Sequence, residues 1–250
     1  MFDDPAPVPA LNIDRLTLAG QTHQGLVRAH NEDAFFLRES DGLFAIADGL
    51  GGYRHGGFCS RMAINHLAQN PALLTITDSG QIAQAIKDCN LALINHQKTS
   101  NEHQGMRTTM TCAAITPENK LLYAWAGDSR IYRFSHRDGL LQLTRDHTLL
   151  EEKNQTGRRA SPGDAHILTK SLGGNQVFEA ANGHLQLEKD DLVLLTTDGL
   201  TSVVSDHDIE TALRAAHTDL ETTAVSLIDL ALSGGGPDNI TALLCRVQTD

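Results

Sequence analysis

Four aspartates in this sequence stand where an acid is expensive. Asp48 follows the apolar run Phe44-Ala45-Ile46-Ala47, Asp128 follows the run 121–126, Asp198 follows 192–197, and Asp238 precedes 240–247. Each has Gly, Ser or Asn beside it. A carboxylate at the edge of a buried strand is costly unless something pairs with it. Asp48-Gly49 taken alone also reads as an ordinary turn pair; the repetition of the pattern is what favours a metal centre. Two carboxylates about 5 Å apart repel by about 3 kcal/mol at an effective dielectric near 20. Three or more brought together must shift their pKa values or hold cations. All-oxygen ligands select hard ions, Mg²⁺ or Mn²⁺, and Gly49 has no side chain to keep its carbonyl from the same cation. The 25–33 turn adds Arg28, whose guanidinium can fork onto a phosphate, with Glu32 and Asp33 near the metals. The same turn also reads as a solvated hairpin tip. The twelve histidines form neither His-x-His nor His-Glu-x-x-His, and there is no Gly-x-x-x-x-Gly-Lys-Ser/Thr loop. Zinc-hydrolase and P-loop chemistry are therefore disfavoured. Two hard cations and a nearby arginine suit metal-assisted hydrolysis of a phosphate ester.

Elements able to position these residues follow from pattern. Strand-like runs lie at 16–22, 34–37, 44–47, 108–116, 121–126, 131–135, 140–144, 183–187, 192–197 and 240–247. Helical spacing covers 57–68, 81–96, 207–216 and 221–232, with Asp78 or Ser79 and Asp206 as capping candidates. Gly51 and Gly52 let the chain turn away after Asp48. The stretch 144–174 is rich in charge, Gly and Pro. It reads as a mobile flap over about 147–167 with some helix near 148–153, or equally as a plain surface loop. No repeat or linker divides the chain, so one domain over 1–250 is expected, with a loose lead-in at 1–12. Strand blocks separated by pairs of helices suggest an α+β sandwich, antiparallel sheets inside and helices outside.

Composition narrows the partners. The chain has 250 residues, 40% of them hydrophobic, enough for a sizeable core. A formal net charge of -11 argues against nucleic acid, since phosphate backbones demand basic patches. The four cysteines are scattered without a Cys-x-x-Cys pair, which fits a reducing compartment. The acidic start, Met1-Phe2-Asp3-Asp4-Pro5, lacks the order of a secretion signal, and no apolar run reaches transmembrane length. A soluble cytoplasmic protein is expected.

Seven segments, taken in order, resemble the metal-dependent serine/threonine phosphatases of type 2C in their bacterial form. They are Arg28-Ala29-His30-Asn31-Glu32-Asp33, Ala47-Asp48-Gly49-Leu50-Gly51-Gly52, Thr108-Thr109, Ala126-Gly127-Asp128-Ser129-Arg130, Leu143-Thr144-Arg145-Asp146-His147, Thr197-Asp198-Gly199-Leu200 and Pro237-Asp238-Asn239. The resemblance runs from about Gly20 to Val247. It implies a central β-sandwich flanked on both sides by pairs of antiparallel helices, with two Mn²⁺ or Mg²⁺ ions at one end. It further implies that Asp48 bridges the ions, that the Gly49 carbonyl helps hold the first, and that Asp198 and Asp238 hold the second. Glu32 and Asp33 would act largely through water, Arg28 would grip the substrate phosphate, and Asp128 matches the position of a third metal in relatives. A water between the metals would attack phosphorus in line, without a phosphoenzyme. The chain departs from the pattern at Leu50, where some members carry a histidine proposed as general acid; metal-bound water would then protonate the leaving group. It departs again at Arg107, where Gly is frequent, and at Ser202, where many members carry a second acid for the third metal; that site is then weak. Arg107 reads either as a solvated loop arginine or as a cation reaching toward the acids. The segment 149–166 is shorter and more basic than the family's flap.

The implied function is a phosphoprotein phosphatase, monomeric, acting on a phosphorylated protein of a bacterial Ser/Thr kinase system, with no nucleic-acid or membrane partner. Two other readings stand beside it: a pseudo-phosphatase that binds or senses a partner, and a phosphatase of small phosphate esters.

Overall fold

The structure is a computed structural model that describes residues 16–50, 55–100, 103–215 and 219–248. The expected lead-in over 1–12 and the glycines at 51 and 52 lie outside the described residues. Two five-stranded antiparallel sheets face each other. One has the order β1 (Leu16–His23), β10 (Ile240–Val247), β9 (Leu192–Thr196), β6 (Arg130–Ser135), β7 (Gly139–Gln142). The other runs β2 (Asp33–Arg38), β3 (Leu43–Asp48), β4 (Met110–Ile115), β5 (Lys120–Ala126), β8 (Ala181–Gln186). Helices α1 (Gly56–Ala68) and α2 (Ser79–Thr99) cover the second sheet, and α4 (Asp198–Thr201), α5 (Asp206–Arg214) and α6 (Leu220–Ser233) cover the first. The α+β sandwich read from the sequence is what forms.

Period-two side-chain alternation builds the layers. In β3, Phe44 and Ile46 point between the sheets while Leu43, Ala45 and Ala47 meet α1 and α2. In β10, Leu243, Cys245 and Val247 point between the sheets and Ile240, Ala242 and Leu244 meet the other helices. Central strands are buried on both faces, which is why they read as unbroken apolar runs; β8, at an edge, alternates between half-buried and exposed.

Several details differ from the sequence reading. Ser205, not Asp206, caps α5, its Oγ accepting from Asp208 N at 3.2 Å. Asp78 does cap α2, within a capping box with Gln81. Pro71 opens a short 3-10 turn, Pro71–Leu74, rather than only ending α1. Strand β4 starts at Met110, so Thr108 and Thr109 precede it and serve the site instead. The 144–174 stretch contains α3 (Leu149–Thr156), capped by Thr148, and a 3-10 turn, Pro162–His166.

Candidate metal centre

The site lies where chain ends of both sheets meet. Pairing of β2 with β3 sets Asp33 opposite Asp48, so Asp33 opens a strand rather than sitting in a turn tip. The Asp48 backbone is pinned on both sides. Its N–H donates to Thr109 Oγ1 at 2.9 Å, and its carbonyl accepts from Thr108 Oγ1 and Thr109 N, each at 2.8 Å. Thr109 Oγ1 also meets Ser129 Oγ at 3.1 Å, tying Asp48 to the neighbour of Asp128. Gly49 is required by close approach: a Cβ there would stand 2.4 Å from the Gly56 carbonyl. The same holds at Gly199, where a Cβ would come within 1.9 Å of Asn239 O. Asp198 itself is the first residue of α4, one position past Thr197, rather than a strand end.

Asn239 knits the centre together. Its Nδ2 donates to Gln24 O at 2.7 Å and His30 O at 2.9 Å, and its Oδ1 accepts from Glu32 N at 2.8 Å. One amide thus fixes the turn that carries Arg28 against the start of β10. Glu32 Oε1 accepts from Gly57 N at 3.2 Å, closing the N-terminus of α1, which has no side-chain cap of its own. Arg28 Nη2 donates to Asp238 Oδ2 at 2.6 Å.

A cleft of about 400 Å³ opens over these groups, lined by Arg28, Glu32, Asp48, Gly49, Leu50, Asp128, Asp198 and Asp238, together with His166, Ile167, Leu168 and Ser171 of the 144–174 stretch. Asp33 lies beneath it, its Oδ2 accepting from Thr241 Oγ1 at 2.6 Å and Thr197 Oγ1 at 3.0 Å. Burial pushes the Asp33 carboxyl up to about 7, with the charges of Asp198 and Asp238 adding to the rise. Burial lifts Asp48 well above its ordinary range, and Asp33, Asp198, Asp128 and Asp238 raise it further. Asp128 is pushed up to about 8, first by burial and then by Asp198. Asp198 is raised by burial and Asp238, while a hydrogen bond with Asp48 and the charges of His166 and Arg28 hold it back. Behind Asp128, burial pushes His147 down to about 4; the neutral ring stacks on Trp125 and its Nδ1 accepts from Gly127 N at 3.2 Å.

These residues fit hard cations. Asp33 Oδ1 and Asp198 Oδ1 are buried with no hydrogen-bond partner, an arrangement that calls for a cation or its water. The clustered acids are strained toward protonation, and the donors are all oxygen. Among the described residues no three such side chains are already closed on one point. Arg28 already occupies one oxygen of Asp238.

Residues 20–229 match the family model for protein phosphatase 2C. The chain belongs to the protein phosphatase 2C family. It is 34% identical over 238 residues to the serine/threonine phosphatase stp of Listeria innocua, covering 90% of this chain and 93% of that protein. It is also 34% identical over 244 residues to the serine/threonine protein phosphatase PstP of Mycobacterium tuberculosis, covering 93% of this chain and 45% of that longer protein. The crystal structure of the PstP catalytic domain in complex with 2 manganese ions superposes with a TM-score of 0.82 at 33% identity, covering 94% of this chain and 99% of that one.

Against this family frame, the structure gathers Arg28, Glu32, Asp48, Gly49, Asp128, Asp198 and Asp238 around one cleft and sets Asp33 below it. Ser202 is exposed; its N–H donates to Asp198 O at 2.8 Å, and its side chain does not line the cleft. Arg107 is half-buried and lies over Gly174, where a Cβ would clash with its Nη1, and its charge acts on Cys59. The half-buried position, with its Nε buried, disfavours the solvated loop arginine. Sequence spacing gave no sign of Asn239 as a clamp or of His166 at the cleft, because both depend on segments that meet only in the fold.

Proposed function

We propose that this chain is a metal-dependent protein serine/threonine phosphatase that hydrolyses phosphoserine and phosphothreonine. The observation that carries the reading is the convergence of Asp48, Asp128, Asp198 and Asp238 with Arg28 on one cleft, within the protein phosphatase 2C fold. Asp48, Asp198 and Asp238, with the Gly49 carbonyl, would hold two Mn²⁺ or Mg²⁺ ions, as two manganese ions are held in the PstP structure. Asp128 would join Asp198 at a weaker third position. Divalent cations bound there supply charge compensation and Lewis acidity. Arg28, braced on Asp238, offers its remaining N–H groups to the phosphate. Glu32 and Asp33 act through water; Glu32 also accepts from the Gly57 backbone N–H at α1, and Asp33 from the hydroxyls of Thr197 and Thr241. The whole chain, 1–250, works as one domain, with 147–167 as a flap beside the cleft. Its substrates are phosphoproteins of a bacterial Ser/Thr kinase system in the cytoplasm, and it acts as a monomer. No described helix is long and apolar enough to cross a membrane.

The experiment is Mn²⁺-dependent turnover of p-nitrophenyl phosphate, then of a phosphoserine peptide beside sugar phosphates. Turnover of the peptide well above that of sugar phosphates is expected. No turnover of anything would return the chain to a binding module, and preference for sugar phosphates would make it a small-ester phosphatase.

A further inference from the structure

Hydrolysis of a serine or threonine phosphate expels an alkoxide, a poor leaving group that needs a proton as it departs. The groups lining the cleft leave few sources for it. The side chain of Leu50 is apolar. Arg28 is held in its charged form by its hydrogen bond to Asp238. Asp48, Asp128, Asp198 and Asp238 are committed to cations under the phosphatase reading above, and Glu32 is engaged by Gly57 N as an acceptor. The hydroxyl of Ser171 is too weak an acid. His166 remains, lining the same cleft as the acids.

The chain around His166 is built to hold it there. It ends the 3-10 turn Pro162–His166, whose buried Asp164 accepts from Lys153 Nζ at 2.8 Å and Ser161 N at 2.7 Å. Just past it, Ile167 O accepts from Leu149 N at 2.8 Å, and Thr169 N donates to His147 O at 2.8 Å. The backbone is thus tied on both sides. The imidazole itself is exposed and has no hydrogen bond to a described residue, so its nitrogens are available to a substrate. Its charge also favours the ionised form of Asp198, which places it within electrostatic reach of the centre.

We propose that His166 is the proton donor to the departing serine or threonine oxygen, a role resting on the phosphatase reading. As the oxygen of water bonds to phosphorus, the bond between phosphorus and the substrate Oγ breaks. The protonated imidazole gives its N–H proton to that Oγ, releasing the free hydroxyl and inorganic phosphate. The proton lost by the attacking water passes to solvent, from which the neutral imidazole is reprotonated. No oxidant or further reactant is needed. The donor is then a side chain of the 147–167 segment rather than water at the metals.

The test compares His166→Ala and His166→Gln with the unaltered chain, all in Mn²⁺, on a phosphoserine peptide and on p-nitrophenyl phosphate. The nitrophenolate departs without a proton, so the ratio of kcat on the peptide to kcat on the nitrophenyl ester should fall about 10²-fold in both variants. Melting curves confirm folding, and calorimetric Mn²⁺ affinity should match the unaltered chain. Equal losses on both substrates, a loss confined to KM, recovery in His166→Gln, or weakened Mn²⁺ binding would each overturn the proposal. Absence of turnover by the unaltered chain on both substrates would instead overturn the phosphatase reading itself.

Discussion

Asp198 shows how a single residue serves two opposed ends. Its carboxyl is raised by burial and by Asp238, and one oxygen is buried without a partner. In the absence of cations such a charge is a burden on folding. Asp198→Asn and Asp48→Asn should therefore each lower Mn²⁺-dependent turnover by about 10³-fold, the scale of removing a preorganised electrostatic partner. The same changes should leave the metal-free melting temperature equal or higher, with each kcal/mol gained appearing as about 2–4 °C. Turnover and melts with and without Mn²⁺ read both effects, and a fully active variant would remove that residue from the metal assignment. Ser202 presents the reverse case. Its N–H is bonded to Asp198 O, which keeps the residue within one helical turn of that acid although its side chain is exposed and outside the cleft lining. Charge largely sets the affinity of a hard-ion site, so Ser202→Asp should shift the Mn²⁺ activation curve to lower concentration by several-fold. An unshifted curve would mean that residue 202 has no part in a third site.

The strands and helices were legible in the sequence wherever one physical signal dominated. Strands β3, β9 and β10 are buried on both faces and read as apolar runs; α2 announced itself by its stripe and by Asp78. The metal-ligand candidates could be read for the same reason, as acids at the edges of those runs. Pairing was harder. Nothing local shows that β1 and β2, neighbours in the chain, belong to opposite sheets, because that choice is made by contacts with β10 and β3. Asn239 belongs to the same class of hidden feature. It lies one residue before β10 and reaches the Arg28 turn more than two hundred residues earlier in the chain. Asn239→Ala would leave Glu32 N, Gln24 O and His30 O without that partner, at a cost of about 3 kcal/mol. Arg28 would be loosened with the turn, so KM for a phosphopeptide should rise more than kcat falls. Chemical denaturation and steady-state kinetics measure the two effects, and an unchanged stability would show that water replaces the amide.

Across the whole molecule, the acid cluster sets how stability depends on pH. Asp33 is pushed up to about 7 and Asp128 to about 8, and Asp48 and Asp198 are raised as well. In the unfolded chain the same groups titrate near 3.9, within about a unit. Between about pH 4 and 8 the folded, metal-free protein therefore binds more protons than the unfolded chain, and stability falls as pH rises through that window. His147 opposes this: it is pushed down to about 4, so its contribution is lost as pH falls from about 6.5 toward 4. It is one group against four. Below pH 4 the trend reverses, because Asp138, Asp164, Asp219, Glu118 and Glu210 are lowered by their hydrogen bonds and lose that advantage on protonation. The metal-free protein should accordingly be most stable near pH 4–5 and decline toward pH 8. Cation binding needs the carboxylates ionised and releases their protons. The stabilisation given by saturating Mn²⁺ should then grow from pH 6 to pH 8, opposite in slope to the metal-free curve. Melting temperatures across pH 4–8, with chelator and with Mn²⁺, test the pair of slopes. Parallel curves would show that the cation does not bind through these acids.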